Sequence, residues 1–112
     1  MIKTTLNSEI FDSLYKVIKA KKGGDLSVSY TAHLFNEGKE HICKKFGEES
    51  VEVIVAALSQ KKQDVIYESS DVIFHLFVLW AEMGIELKDV MDELEKRSKF
   101  SGIDEKQKRI KK

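Results

Sequence analysis

The chain contains no proline and only one cysteine, Cys43, in 112 residues. A lone cysteine closes no intramolecular disulfide, so the core has to be held by packing alone. The N-terminus lacks the charged-then-apolar pattern of a secretory leader, and with the unpaired thiol this predicts a protein of the reducing cytoplasm. Cys43 itself reads as a small apolar residue. Long apolar runs are missing too. The longest, 72–81, is broken by His75 and is too short to span a bilayer, so no membrane role is expected. Charge of one sign is also absent: 19 Lys and Arg balance 19 Asp and Glu. A net charge of zero removes the overall electrostatic drive of a nucleic-acid-binding protein. Closely spaced turn signals and alternating runs, the marks of a β sandwich or barrel, do not occur.

What is present suits one all-α domain. With 42% hydrophobic and 34% charged residues, a chain of this length builds a modest core, which makes oligomerisation an expectation from the outset. The expected architecture is a bundle of four to five helices over residues 1–100, completed by dimerisation, followed by a basic tail at 101–112. Lys96, Arg97, Lys99, Lys106, Lys108, Arg109, Lys111 and Lys112 face only Asp104 and Glu105 at that end. Such a stretch reads either as a solvated tail or as a binding arm, the first being the commoner outcome.

Helical spacing recurs along the chain. Ile10, Phe11, Leu14, Tyr15, Val17 and Ile18 predict a helix over 8–21, with Asn7 or Ser8 as cap and Gly23-Gly24 as terminator. Its aliphatic and aromatic stripe reads as core. Ser29 is an N-cap by type for a short helix ending near Gly38, and Tyr30 beside it reads as a core plug or a substrate contact, with the plug favoured by chemistry alone. A long helix follows at 39–60. Its second half, Val51 and 53–58, is apolar on nearly every side, which predicts burial. After a polar link at 59–64, a third long helix is expected over 65–83, and its all-round apolar stretch 72–81 exceeds what one small domain covers and predicts a subunit interface. Leu87, Val90, Met91 and Leu94 give a last helix over 87–97.

Carboxylates concentrate on the two long helices. Glu49 and Glu52 are three residues apart and so share a face, as do Glu68 and Asp71. If the helices pack antiparallel through their apolar flanks, these four converge where uncompensated negative charge is costly. A hard divalent cation resolves that conflict. An oxygen-only donor set favours magnesium or manganese over zinc, and none of His33, His41 or His75 follows a glutamate by three as a di-iron bundle requires. Glu68 alone is also explained as a helix-dipole partner, but Asp71 is not. Lys44 and Lys45, one turn before Glu48 and Glu49, read as surface pairing or as phosphate contacts. Gly47 costs about 1 kcal/mol relative to alanine inside an exposed helix, so a ligand or neighbouring helix is expected to approach it closely. His75, one turn after Asp71, reads as a satisfied core histidine or as support for a ligand carboxylate, the former being more common.

Glu48-Glu49-x-x-Glu52 followed by Glu68-x-x-Asp71 resembles the motif of the all-α nucleoside triphosphate pyrophosphohydrolases. Ser29-Tyr30-Thr31, Lys44-Lys45-Phe46-Gly47-Glu48-Glu49, residues 68–76 and Ser101-Gly102-Ile103-Asp104-Glu105-Lys106 sharpen that likeness to the phosphoribosyl-ATP pyrophosphatase family. The resemblance covers nearly the whole chain. It implies an all-α dimer that hydrolyses phosphoribosyl-ATP to phosphoribosyl-AMP and pyrophosphate with magnesium, in histidine biosynthesis. By motif position Glu49, Glu52, Glu68 and Asp71 would be metal ligands and Glu48 a supporting group or the base that orients water. Lys44 and Lys45 would meet phosphates, with Tyr30, Arg97, Lys106 and Arg109 as further substrate contacts. Phe74, Ser70 and Glu86 depart from the residues common in the family, beside the site rather than in it. Two other readings share parts of this pattern: a house-cleaning pyrophosphohydrolase for other nucleotides, and a non-catalytic helical dimerisation module, which gives no reason for the five carboxylates.

Overall fold

The computed structural model describes residues 2–99, with side chains from residue 9 onward. All regular structure among them is helical: α1 (Ile2–Ala20), α2 (Tyr30–Glu37), α3 (Lys39–Leu58), α4 (Lys62–Glu82) and α5 (Leu87–Arg97). The basic tail, with Lys106 and Arg109, lies outside the described residues. α1 begins at Ile2 instead of residue 8, so Asn7 and Ser8 sit inside it and not at its cap. No glycine or proline upstream stops the helix there. Ser29 does cap α2: its backbone is extended and its Oγ accepts the Ala32 N–H at 3.0 Å. Gly38, at φ +99°, then separates α2 from α3 by a single residue, a backbone that an L side chain would strain.

α3 and α4 are joined by residues 59–61 alone, too few for anything but an antiparallel hairpin, and they form the main packed pair of the fold. α4 starts three residues earlier than predicted because Asp64, taken for part of a link, fits the first helical turn, where a carboxylate complements the dipole. α1 and α2 close over the second half of α4. The core there consists of Tyr15 and Ile18 from α1, Leu34 and Phe35 from α2, Ile42 from α3, Phe77 and Val78 from α4, and Leu87. Its aromatic part is ordered edge to face: Phe77 meets Phe11 at 5.7 Å and Tyr15 at 5.5 Å, and lies stacked on Trp80 at 5.1 Å. The Tyr15 hydroxyl donates to the Ile85 carbonyl, so this buried phenol is satisfied.

One burial expectation fails within the single chain. Of the apolar second half of α3 only Ala56 is buried, while Val51, Ile54, Val55 and Leu58 are more than half exposed. One long neighbour, α4, covers one side of a helix and leaves the others open. Residues 72–81 are covered in part by the chain itself, with His75, Phe77 and Val78 buried and the rest half-buried. Cys43 is exposed on α3 and is not a core residue.

The core assignment is checked by urea unfolding. Phe77→Ala, which empties the centre of the aromatic cluster, is expected to cost about 3–5 kcal/mol. Val28→Ala, on the exposed connector before α2, should stay within about 0.5 kcal/mol; equal losses for the two would contradict the assignment.

Candidate active site

The hairpin sets the register of the carboxylates. Counted from the link, Glu49 on α3 and Asp71 on α4 are each about three turns away, so antiparallel packing brings them level. Glu68, one turn before Asp71, lies on the same face of α4. One carboxylate oxygen from each of Glu49, Glu68 and Asp71 lies within 4.8 Å of the others, and all three residues are half-buried. Glu52 is exposed and stands outside this trio, although its charge reaches Glu68. Three of the four residues predicted to converge therefore do so, with the fourth beside them.

The cluster's electrostatics bear directly on the chemistry. Partial burial, and then the charges of Glu49, Asp71, Glu52 and Asp64, hold the Glu68 carboxyl above the usual glutamate range. Every one of those neighbours is an anion. Such a donor set fits a hard divalent cation, because a positive charge relieves the repulsion that raises the Glu68 pKa and the available donors are all oxygens.

Lys45 and Glu48, one turn from this cluster on α3, pair at 3.4 Å. The Lys45 ammonium is held above the ordinary lysine range, first by the negative charge that Tyr30 carries when ionised; burial, second in size, opposes the rise, and Glu48 and Glu49 add to it. Lys44 is exposed on the same helix. Arg97 is on α5, where its Nε donates to Glu93 at 3.1 Å. A side chain at Gly47 would meet nothing within 4 Å, so no helix among the described residues makes the close approach expected there.

Tyr30 is not a core plug. At 57% exposure it is open to solvent, yet its ring is held by Phe74, stacked at 6.3 Å, and its hydroxyl lies 3.3 Å from His75 Nε2. His75 is the satisfied core histidine, 3% exposed, with Nδ1 2.8 Å from the Asp71 carbonyl. The link between Tyr30 and His75 joins residues 45 apart in sequence, and only the i, i+4 relation of Asp71 and His75 hinted at half of it. Between α3 and α4 there is also an open cleft of about 290 Å³, lined by Ser50, Val53, Ser69, Val72 and Ile73. Its serines directly follow Glu49 and Glu68 in sequence.

A hairpin of long helices that gathers carboxylates at its seam, with no strand among the described residues, is the construction of the all-α pyrophosphohydrolases. Residues 11–98 match the family "Phosphoribosyl-ATP pyrophosphohydrolase". The phosphoribosyl-ATP pyrophosphatase of Paramagnetospirillum magneticum is 51% identical over 106 residues, 95% of this chain and 97% of that protein. The enzyme of the same name from Rhodospirillum rubrum is 50% identical over 98 residues, 88% of this chain and 84% of that one. A histidine biosynthesis bifunctional protein of Caldanaerobacter subterraneus is 45% identical over 91 residues, which are 44% of its length. The chain belongs to the phosphoribosyl-ATP pyrophosphohydrolase family.

The raised Glu68 pKa predicts a pH dependence. A carboxyl that binds its proton more tightly when folded makes the folded state lose stability as pH rises from the ordinary value of 4.5 through the raised one. In EDTA, the melting temperature should fall across that window, and Glu68→Gln should remove this fall and melt higher than wild type at neutral pH. A variant that melts lower at neutral pH would show that the cluster is not strained.

Proposed function

We propose that this protein hydrolyses phosphoribosyl-ATP to phosphoribosyl-AMP and pyrophosphate, the second step of L-histidine biosynthesis, in the cytoplasm and with magnesium as its metal, manganese being a possible substitute. The observation that carries this reading is the meeting of Glu49, Glu68 and Asp71 on paired helices in a member of this family. These three residues would hold the cation, with Glu52 as a fourth carboxylate one turn along α3. The bound cation supplies charge neutralisation on the phosphoanhydride oxygens.

The chain's own residues have the remaining tasks. Phosphoanhydride hydrolysis asks little covalent chemistry of a protein; it asks for neutralised oxygens and a placed water. Lys45, kept cationic by its neighbours, binds a phosphate oxygen, and Lys44 extends the same charge along α3. Glu48 is ion-paired with Lys45 and, in this reading, orients the attacking water with its other oxygen. The open space at Gly47 leaves room for the substrate's phosphates between these residues. Arg97, Lys106 and Arg109 contact the polyphosphate or phosphoribosyl group from the C-terminal side.

Pyrophosphate release from phosphoribosyl-ATP, compared with a panel of ordinary nucleoside triphosphates, tests the assignment. Phosphoribosyl-ATP should be preferred, and Asp71→Asn should lower turnover by about 100-fold or more together with magnesium affinity. Glu48→Gln should keep most of that affinity while losing rate. Equal turnover of all the nucleotides would favour a house-cleaning pyrophosphohydrolase, and hydrolysis unchanged in Asp71→Asn would remove the site.

The active form in this reading is a homodimer. Val51, Ile54, Val55 and Leu58 of α3, with Ile66 and Tyr67 of α4, leave an apolar surface that the single chain does not cover. A second copy seated on it, and on the half-buried parts of residues 72–81, gives both helices their missing neighbour. Sedimentation at micromolar concentration should show a dimer, and Ile54→Glu combined with Leu58→Glu should dissociate it. A fully active wild-type monomer would overturn this point.

A further inference from the structure

His75 is an imidazole taken almost wholly out of water, which is costly unless both ring nitrogens find partners. Both do, and the partners determine the proton's position. The Asp71 carbonyl, 2.8 Å from Nδ1, can only accept, so Nδ1 carries the hydrogen. Nε2 of the neutral ring is then an acceptor, and the Tyr30 hydroxyl at 3.3 Å has to be its donor. The direction of this chain fixes what the tyrosine offers outward. With its proton turned toward His75, the phenolic oxygen presents lone pairs only. The ring itself is held as well, stacked on Phe74 at an interplanar angle of 21° and in edge contact with His75 at 6.2 Å. A tyrosine that is more than half exposed and also fixed in both ring and hydroxyl is unusual for a purely structural residue: core packing would bury it, and solvent would leave it free.

We propose that His75 is a positioning residue for substrate binding, holding the Tyr30 hydroxyl oxygen as an acceptor for a sugar hydroxyl of the nucleotide whose phosphates Lys45 meets. The two groups are complementary. An acceptor-only oxygen repels phosphate and suits a ribose hydroxyl, whereas the ammonium does the reverse. Asp71 joins this subsite to the carboxylate cluster, since its side chain belongs to the trio while its carbonyl anchors His75. The inference rests on the reading that a phosphoribosylated nucleotide is hydrolysed at those carboxylates.

Steady-state kinetics on phosphoribosyl-ATP, with magnesium binding followed by calorimetry, tests it in five proteins: wild type, Tyr30→Phe, His75→Leu, His75→Gln and the Tyr30→Phe/His75→Leu double variant. The lost hydrogen bond to substrate predicts KM raised about tenfold in Tyr30→Phe, and by less, about fivefold, in His75→Leu, which keeps the hydroxyl but frees it to rotate, with kcat within about twofold in both. The double variant should show about the tenfold rise of Tyr30→Phe alone instead of about fiftyfold, because His75 acts on the substrate only through the hydroxyl that the first substitution removes. His75→Gln, whose amide oxygen reaches the Nε2 position, should return KM to within about threefold of wild type. Magnesium affinity should be unchanged throughout. Multiplicative KM effects, a loss confined to kcat, or a Gln variant as impaired as Leu would overturn the proposal. If His75→Leu does not fold, Tyr30→Phe at its exposed position still decides, since an unchanged KM there overturns it equally. A wild type that hydrolyses no nucleotide would overturn the functional reading first, and that result is seen before any variant is made.

Discussion

The fold has to hold three carboxylates within 4.8 Å of one another on two different helices, and most of its other features follow from that constraint. Like charges at such spacing repel, and partial burial adds to the penalty, as the raised Glu68 pKa records. The trio cannot be held together by its own interactions. Apolar packing of α3 on α4, and of α1 and α2 around the second half of α4, supplies the opposing force. The three-residue link fixes the register of the hairpin, and register decides which carboxylates meet: a slip of one turn would set Glu49 opposite Glu68 and strand Asp71. The best-packed part of the molecule lies toward the far end of α4, around Phe77 and Val78, which allows the acidic part to be strained without loosening the whole.

Much of this was legible in the sequence because it depends on local spacing. Helix existence, the Ser29 cap and the pairing of carboxylates three apart are i, i+3 and i, i+4 facts, and a helix preserves them wherever it is placed. The ends of elements were less legible. Asp64 was assigned to a link and Asn7 or Ser8 to a cap, although polar residues suit the first turns of a helix equally well.

The relations between distant residues were not legible at all. Whether Glu52 joins Glu49, Glu68 and Asp71 depends on the rotation of α3 about its own axis, which four well-spaced acidic residues do not determine. Tyr30 was assigned to the core because a tyrosine in a small domain usually serves there; its actual partners, Phe74 and His75, are more than forty residues away. The exposed stripe of α3 has a different cause. An apolar sequence predicts burial without saying by what, and Val51, Ile54, Val55 and Leu58 await a neighbour that the chain itself does not provide.

Recognition of one nucleotide among many cannot reside in the acidic cluster. Carboxylates and a divalent cation would engage phosphate oxygens, which all nucleoside triphosphates share, so in the proposed reading they would set the reaction and not the substrate. Discrimination has to come from groups that contact the sugar or base, where one fixed hydrogen bond separates analogues more sharply than apolar contact does. Two places adjoin the cluster and differ in chemistry: the cleft between α3 and α4, whose Val53, Val72 and Ile73 offer mainly apolar contact, and Tyr30, whose oxygen has a fixed direction because His75 is anchored on the backbone of α4. The second is the more selective of the two on physical grounds. A hydroxyl that can rotate adapts to a donor or an acceptor alike, while one whose proton is already committed accepts only the former, and that commitment originates in the same turn of α4 that carries Asp71 into the cluster.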